Sequence, residues 1–169
     1  MSLALEMRGV SKRYGRIAAV TNLDLEISPG EVVGLIGPNG AGKSTTLKIA
    51  LDLSTDFEGT VRLFGYSYRT HALDVKRRLG YVPEVVDPTG TLRIAEYVRY
   101  AGALHNLAAG EINAAWSELS ERLAFDADPR TRIDTLSKGN RQKLAIATSL
   151  LHRPALWVLD EPLSGLDPT

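Results

Sequence analysis

Two kinds of hydrophobic pattern alternate along this chain of 169 residues. Residues 3–9 and 17–27 alternate apolar with polar positions, which predicts two strands joined by a turn at Tyr14 and Gly15. Residues 31–37, EVVGLIG, form instead a continuous apolar run, which predicts a strand buried on both faces of a parallel sheet. A helix from about Lys43 to Leu51 and a further strand over residues 59–65 should follow.

From Thr91 onward the apolar positions take a helical spacing. They form two stripes, made by Ile94, Tyr97, Val98, Ala101 and Leu104, and then by Ile112, Trp116, Leu119 and Leu123. Residues 155–160, ALWVLD, return to the pattern of a buried strand. The sequence therefore predicts an α/β fold with an antiparallel β layer at its start, a parallel core sheet and a helical subdomain inserted at about residues 89–150. All of residues 1–169 are expected to form one domain.

Composition narrows the classes of function. Twenty basic residues balance twenty acidic ones, so no nucleic-acid partner is expected. The absence of cysteine excludes a disulfide framework and a cysteine-based zinc site, and it suits the cytoplasm. Glu6 and Arg8 interrupt what would have to be a signal core, and no stretch approaches the roughly 18 apolar residues of a membrane span.

Residues 37–45, GPNGAGKST, match the phosphate-loop pattern between a predicted strand and a predicted helix. Glycines let backbone N–H groups turn around phosphate oxygens, and the helix N-terminus adds positive charge. Lys43 can reach the β- and γ-phosphates, and the hydroxyl of Ser44 suits Mg²⁺. The sequence therefore predicts an ATP site made by Gly37, Pro38, Asn39, Gly40, Ala41, Gly42, Lys43, Ser44 and Thr45.

Two acids follow the last predicted strand. Asp160 would lie at the carboxyl end of a parallel strand, which is the edge where the phosphate loop is expected to open. There Asp160 can hold Mg²⁺, and Glu161 can act as the general base on water. An isolated acidic pair is more often a solvated turn, but the upstream phosphate loop favours the catalytic interpretation.

Residues 136–162, LSKGNRQKLAIATSLLHRPALWVLDEP, give the pattern a specific resemblance. They resemble the ATP-binding subunits of ABC transporters, whose signature LSGGQ precedes the Walker B strand by one helix. Ser137 and Gly139 match the signature, whereas Lys138 replaces its first Gly and Asn140 its Gln. A basic residue at that place resembles export-type ATPases. From the residues alone, Ser137 is placed to cap the following helix and to leave N–H groups for an anion.

The resemblance also implies partners. In the family two ATPase domains pair head to tail, so that each ATP lies between one phosphate loop and the signature of the other subunit. It therefore implies ATP and Mg²⁺ as cofactors, a homodimer, and a separate transmembrane permease that holds the subunit at the cytoplasmic membrane. The implied function is ATP hydrolysis that powers transport, with export favoured.

Three smaller matches complete the resemblance. Tyr14 stands where the family stacks an aromatic ring on adenine. Glu84 replaces the usual Gln of the Q-loop, where it is expected to contact Mg²⁺ or the attacking water. The sequence SGLD at residues 164–167 matches the D-loop of the dimer seam.

Family domains continue to a switch histidine after Walker B, whereas His71, His105 and His152 all precede it. The sequence is therefore expected to cover a domain that is incomplete at its C-terminus. Two alternatives stay open: a soluble ABC-type ATPase, or a nucleotide-binding module that does not hydrolyse ATP.

Overall fold

The computed structural model describes residues 2–85 and 91–162. Within them the chain divides into two compact units, Met1–Lys76 and Arg77–Thr169. The first unit contains β1 (Leu5–Tyr14), β2 (Ile17–Ile27), α1 (Lys43–Ala50), β3 (Glu58–Leu63) and α2 (Tyr68–Lys76). The second contains β4 (Leu79–Val82), α3 (Ile94–Leu104), α4 (Ala109–Arg122), a 3₁₀ turn (Ile133–Thr135), α5 (Lys138–Leu150) and β5 (Leu156–Leu159).

The three strands of the first unit form an antiparallel sheet in the order β2, β1, β3, as the alternating pattern predicts. The central strand buries alternate side chains, among them Met7 and Val10, because successive residues of a strand point to opposite faces. Pairing shifts by one residue between Lys12 opposite Val20 and Arg13 opposite Ala18. Ala19 is thereby left without a residue opposite it, which makes a β-bulge close to the turn.

The predicted strand at residues 31–37 is wrong. These residues take no strand conformation, and they are exposed, with Val32 fully exposed and Ile36 at 98%. A parallel strand requires a neighbour for its N–H and C=O groups, and no described strand pairs with this segment. An apolar run indicates that its side chains would be stabilised by burial. It does not show that neighbouring strands are present to bury them.

Three helices of the second unit enclose a hydrophobic core. Its buried side chains are Ile94, Val98, Ile112, Ile133, Leu136, Leu144 and Leu151. Glu96 and Glu111 accept hydrogen bonds from backbone N–H groups at the starts of α3 and α4, at 2.8 and 2.7 Å. The two predicted apolar stripes are therefore confirmed as helices, although Leu104 is 63% exposed and lies outside the core.

A parallel pair, β4 beside β5, runs in register from Leu79 opposite Leu156 to Val82 opposite Leu159. The strand at residues 156–159 is confirmed, but its predicted complete burial is wrong, since Trp157 is 38% exposed. The indole N–H of Trp157 donates to Ser149 Oγ at 2.9 Å, which ties β5 to α5. No helix in the described part of the chain is long and apolar enough to cross a membrane. The single-domain organisation, with a helical subdomain at about 89–150, stays a prediction.

Two histidine rings stack where α3 and α5 end. The ring centroids of His105 and His152 lie 3.5 Å apart, and His152 Nε2 lies 3.0 Å from the carbonyl oxygen of Leu79. The Nδ1 atoms of both rings are buried without a hydrogen-bond partner in the described chain. Burial lowers the pKa of each ring, and for His152 the charge of His105 lowers the pKa further.

Stability is therefore expected to fall as the pH drops from 7 to 5. Both rings resist protonation in the folded chain, so the unfolded chain binds more protons below its ordinary histidine pKa of about 6.5. Urea unfolding at pH 5, 6 and 7 measures the effect, and His105→Phe, which keeps a ring but cannot titrate, should lose less stability. An equal loss in His105→Phe would contradict the assignment.

Candidate nucleotide site

The phosphate loop is an exposed turn that leads into α1. Gly40 and Gly42 have φ angles of 81° and 87°, the left-handed conformation that glycine adopts without strain. Gly42 is the N-cap of α1, and Lys43 begins that helix. Lys43 Nζ donates hydrogen bonds to the carbonyl oxygens of Gly37 at 2.8 Å and Pro38 at 3.0 Å. The ammonium thus lies over the loop, in which Pro38, Asn39, Gly40 and Ala41 are exposed.

Backbone contact joins this loop to the β1–β2 hairpin. A Cβ added at Gly42 would lie 2.3 Å from the carbonyl oxygen of Ala19, the bulged residue of β2. Only glycine permits this approach, so the bulge and the glycine together hold the hairpin against the start of α1.

The Gly42→Ala variant should therefore unfold far more easily than the Gly40→Ala variant. Both residues have positive φ, which costs an alanine about 1 kcal/mol, but a Cβ at Gly40 meets nothing within 4 Å. At Gly42 the clash with backbone adds to that strain, for a total of about 3 kcal/mol. Urea denaturation measures both free energies of unfolding, and equal losses would contradict the close approach.

Tyr14 ends β1 beside the turn of the same hairpin, and its side chain is 49% exposed. Lys12, two residues earlier, is only 6% exposed, and its Nζ lies 5.1 Å from the centroid of the Tyr14 ring. The Lys12 ammonium also donates to the backbone carbonyl of Asp56 and lies 3.3 Å from its carboxylate. The sequence does not identify Lys12 as a candidate site residue, because nothing in the pattern around a turn indicates that a lysine there is buried.

Ser137 caps α5, as the sequence predicts. Its hydroxyl accepts from the backbone N–H of Asn140 at 3.2 Å, and Lys138 and Gly139 form the first turn of the helix. Ser137 and Lys138 are exposed, whereas Gly139 is half-buried. The signature residues therefore present a capped helix start at the surface of the second unit.

The carboxyl ends of β4 and β5 bring two of the predicted acids to one edge. Asp160 is buried, and its backbone N–H donates to the carbonyl oxygen of Val82 at 2.9 Å. Glu84 is exposed just beyond β4. Burial raises the pKa of Tyr81, and the charges of Asp160 and Glu84 raise it further, so all three groups share this edge. Glu161 is exposed and has a φ of 46°, which turns the chain sharply after β5.

Comparison with known proteins decides the family. Residues 20–164 match the family described as ABC transporter. The chain belongs to the ABC transporter family. The α/β fold predicted from the sequence is confirmed by a solved structure titled "Structure of ATP binding subunit of ABC transporter", which matches with a TM-score of 0.89 at 30% identity and covers 98% of this chain and 69% of that one.

Similar ABC proteins include exporters and resistance proteins. The chain is 38% identical over 168 residues to "Nod factor export ATP-binding protein I" of Cupriavidus metallidurans, which covers 99% of this chain and 55% of that protein. It is 31% identical over 164 residues to "Linearmycin resistance ATP-binding protein LnrL" of Bacillus subtilis, covering 97% and 53%. The chain spans about half the length of these relatives.

Ser44 and Asp160, two of the predicted Mg²⁺ ligands, belong to different units. Ser44, half-buried in the first turn of α1, offers a hydroxyl in the first unit, and Asp160 offers a carboxylate in the second. Hard oxygens of both kinds are ligands that Mg²⁺ prefers. No cluster of three or more metal-binding side chains occurs among residues 2–85 and 91–162. The predicted D-loop at residues 164–167 lies outside the described residues.

A separate cavity of about 380 Å³ lies in the first unit. It is lined by residues that follow α1 and by parts of β3 and α2, among them Asp52, Arg62 and Tyr68. The phenol of Tyr68 donates to the carbonyl oxygen of Ala50 at 3.2 Å. None of the predicted site residues lines this cavity, so it is distinct from the phosphate loop.

Proposed function

We propose that this chain is the ATP-binding and ATP-hydrolysing part of an ABC transporter, and that the transporter exports its substrate. The observation that carries the proposal is the attachment of the Tyr14 hairpin to the phosphate loop through Gly42 and the Ala19 carbonyl. The exposed ring of Tyr14 and the phosphate loop therefore belong to the same unit. A nucleoside triphosphate needs both, an aromatic ring for its base and a phosphate-binding turn for its phosphates.

Binding begins with the phosphates. The N–H groups of the loop and the start of α1 offer positive potential to phosphate oxygens. Lys43 exchanges its two carbonyl partners, Gly37 and Pro38, for the β- and γ-phosphates, which gives it charge-assisted hydrogen bonds in place of neutral ones. Thr45 completes the first turn of α1. Tyr14 stacks on the adenine ring.

Hydrolysis requires a base, and we assign that role to Glu161. Its exposed carboxylate can accept a proton from water as the water attacks the γ-phosphate. Mg²⁺, when bound, would supply positive charge to the phosphates, and Ser44 and Asp160 are the side chains that would hold it. The carboxylate of Glu84 would hold Mg²⁺ or orient the attacking water.

The proposed transporter has two further parts. A second copy would supply the signature residues Ser137 and Gly139 to the γ-phosphate, because a capped helix start at the surface is an anion site. A transmembrane permease would hold the subunit on the cytoplasmic face of the membrane. The names of two relatives, one containing "export" and the other "resistance", support the direction of transport.

The test measures ATP binding and phosphate release on one preparation, with and without Mg²⁺. Binding accompanied by Mg²⁺-dependent phosphate release supports the proposed function. Binding without release would support a nucleotide-binding module instead. Release stimulated by nucleic acid, with no membrane-protein partner recovered, would support a soluble ABC-type ATPase.

A further inference from the structure

A buried lysine stands behind the exposed ring of Tyr14. Lysine is rarely buried unless it is paired, yet Lys12 is only 6% exposed. Its partners are the backbone carbonyl and the carboxylate of Asp56, whose side chain is itself fully exposed. The ammonium also lies over the Tyr14 ring, 5.1 Å from its centroid, within the range of a cation–π interaction.

These contacts attach the hairpin at both ends of α1. At the start of α1, the Ala19 carbonyl lies against Gly42. Beyond its end, Lys12 holds Asp56, 44 residues away along the chain. The hairpin that carries Tyr14 is therefore held through β2 at the start of α1 and through β1 at the segment that follows α1. Lys12 and Tyr14 are two residues apart on β1, so their side chains leave the strand on the same face.

We propose that Lys12 is a positioning residue for the nucleotide base: its ammonium covers one face of Tyr14 and presents the other face to a purine. This inference rests on the ATP binding proposed above. The cation draws on the electrons of the ring from behind, which makes the free face a better partner for an electron-rich purine. The contact also restricts the ring before the base arrives, so less conformational entropy is lost on binding.

The test compares two ligands that differ only in carrying a base and sugar: ATP and inorganic tripolyphosphate, each titrated calorimetrically with Mg²⁺ into the full chain. Lys12→Met keeps the length of the side chain but removes its charge. It should weaken ATP binding about fivefold to tenfold, the range of a cation–π contact, and change tripolyphosphate binding less than about twofold. Lys12→Arg, which keeps a cation over the ring, should restore ATP binding.

A double-mutant cycle with Tyr14→Ala separates positioning from general stability. In the Tyr14→Ala background, Lys12→Met should have no further effect on ATP binding, because the ring through which it acts is gone. An effect that persists in that background, or an equal loss for ATP and tripolyphosphate, would overturn the proposal.

Asp56→Ala is the second variant, and it carries the test if Lys12→Met does not fold. It removes the carboxylate partner but keeps the Lys12 ammonium and the backbone carbonyl. We expect ATP binding to weaken about twofold to fivefold, the range of an exposed ion pair, without change for tripolyphosphate. ATP binding unchanged in both variants would overturn the positioning role alone, whereas an unsubstituted chain that binds neither ligand would overturn the proposed function with it.

Discussion

Replacing Lys43 with methionine is expected to weaken Mg·ATP binding by about 100-fold, the effect of losing charged hydrogen bonds to phosphate. Stability should change little. Without nucleotide, Lys43 Nζ donates to the carbonyls of Gly37 and Pro38, which are exposed and can accept from water instead. Calorimetric titration gives the dissociation constant, and urea unfolding gives the stability.

Lys48 supplies a matched control. It lies in the last turn of the same helix and is exposed, so Lys48→Met removes the same charge at the opposite end of α1. ATP binding should stay within about twofold of the unsubstituted chain, since an exposed charge a helix length away is largely screened. Equal losses in the two variants would show that the effect is one of net charge, and would contradict the assignment of Lys43.

The second large effect is expected from Glu161→Gln. An amide cannot take a proton from water, so phosphate release should fall at least about 100-fold, while ATP binding is retained. The left-handed φ of 46° at this position suits glutamine as well as glutamate, so the backbone should not move. Phosphate release at saturating ATP, followed at several protein concentrations, measures the loss.

Glu121→Gln, an exposed glutamate on α4, controls for the loss of one negative charge. Its phosphate release should match that of the unsubstituted chain. If Glu161→Gln released phosphate as fast as Glu121→Gln, the general base would be another group, and the role proposed for Glu161 would be wrong.

Local pattern predicted much of the fold. The alternation in β1 and β2 and the stripes of α3 and α4 depend on which face of each element is buried, and this is visible in the spacing of apolar residues. Residues 31–37 show the limit of that method. Their run of apolar side chains matches a buried strand, but a strand exists only with neighbours, and none of the described strands pairs with it.

The residues of the candidate site also differ in how far the sequence predicts them. Short motifs predict the phosphate-loop and signature residues, because the chemistry fixes their spacing, and the roles of these residues stay predictions. Lys12 and the stacked rings of His105 and His152 could not be predicted, since each depends on a contact between residues far apart in the chain. The close approach of Gly42 to the Ala19 carbonyl likewise depends on a bulge, and the sequence carries no clear signal for its position.

The central claim is that this chain binds ATP at its phosphate loop, and one titration tests it most directly. ATP titrated with Mg²⁺ into the unsubstituted chain should bind at one site per chain, with a dissociation constant between about 1 µM and 1 mM, the range usual for enzymes and their substrates. In the Lys43→Met variant the dissociation constant should be about 100-fold higher. No heat from the unsubstituted chain at millimolar ATP, or the same binding curve for both proteins, would contradict the account.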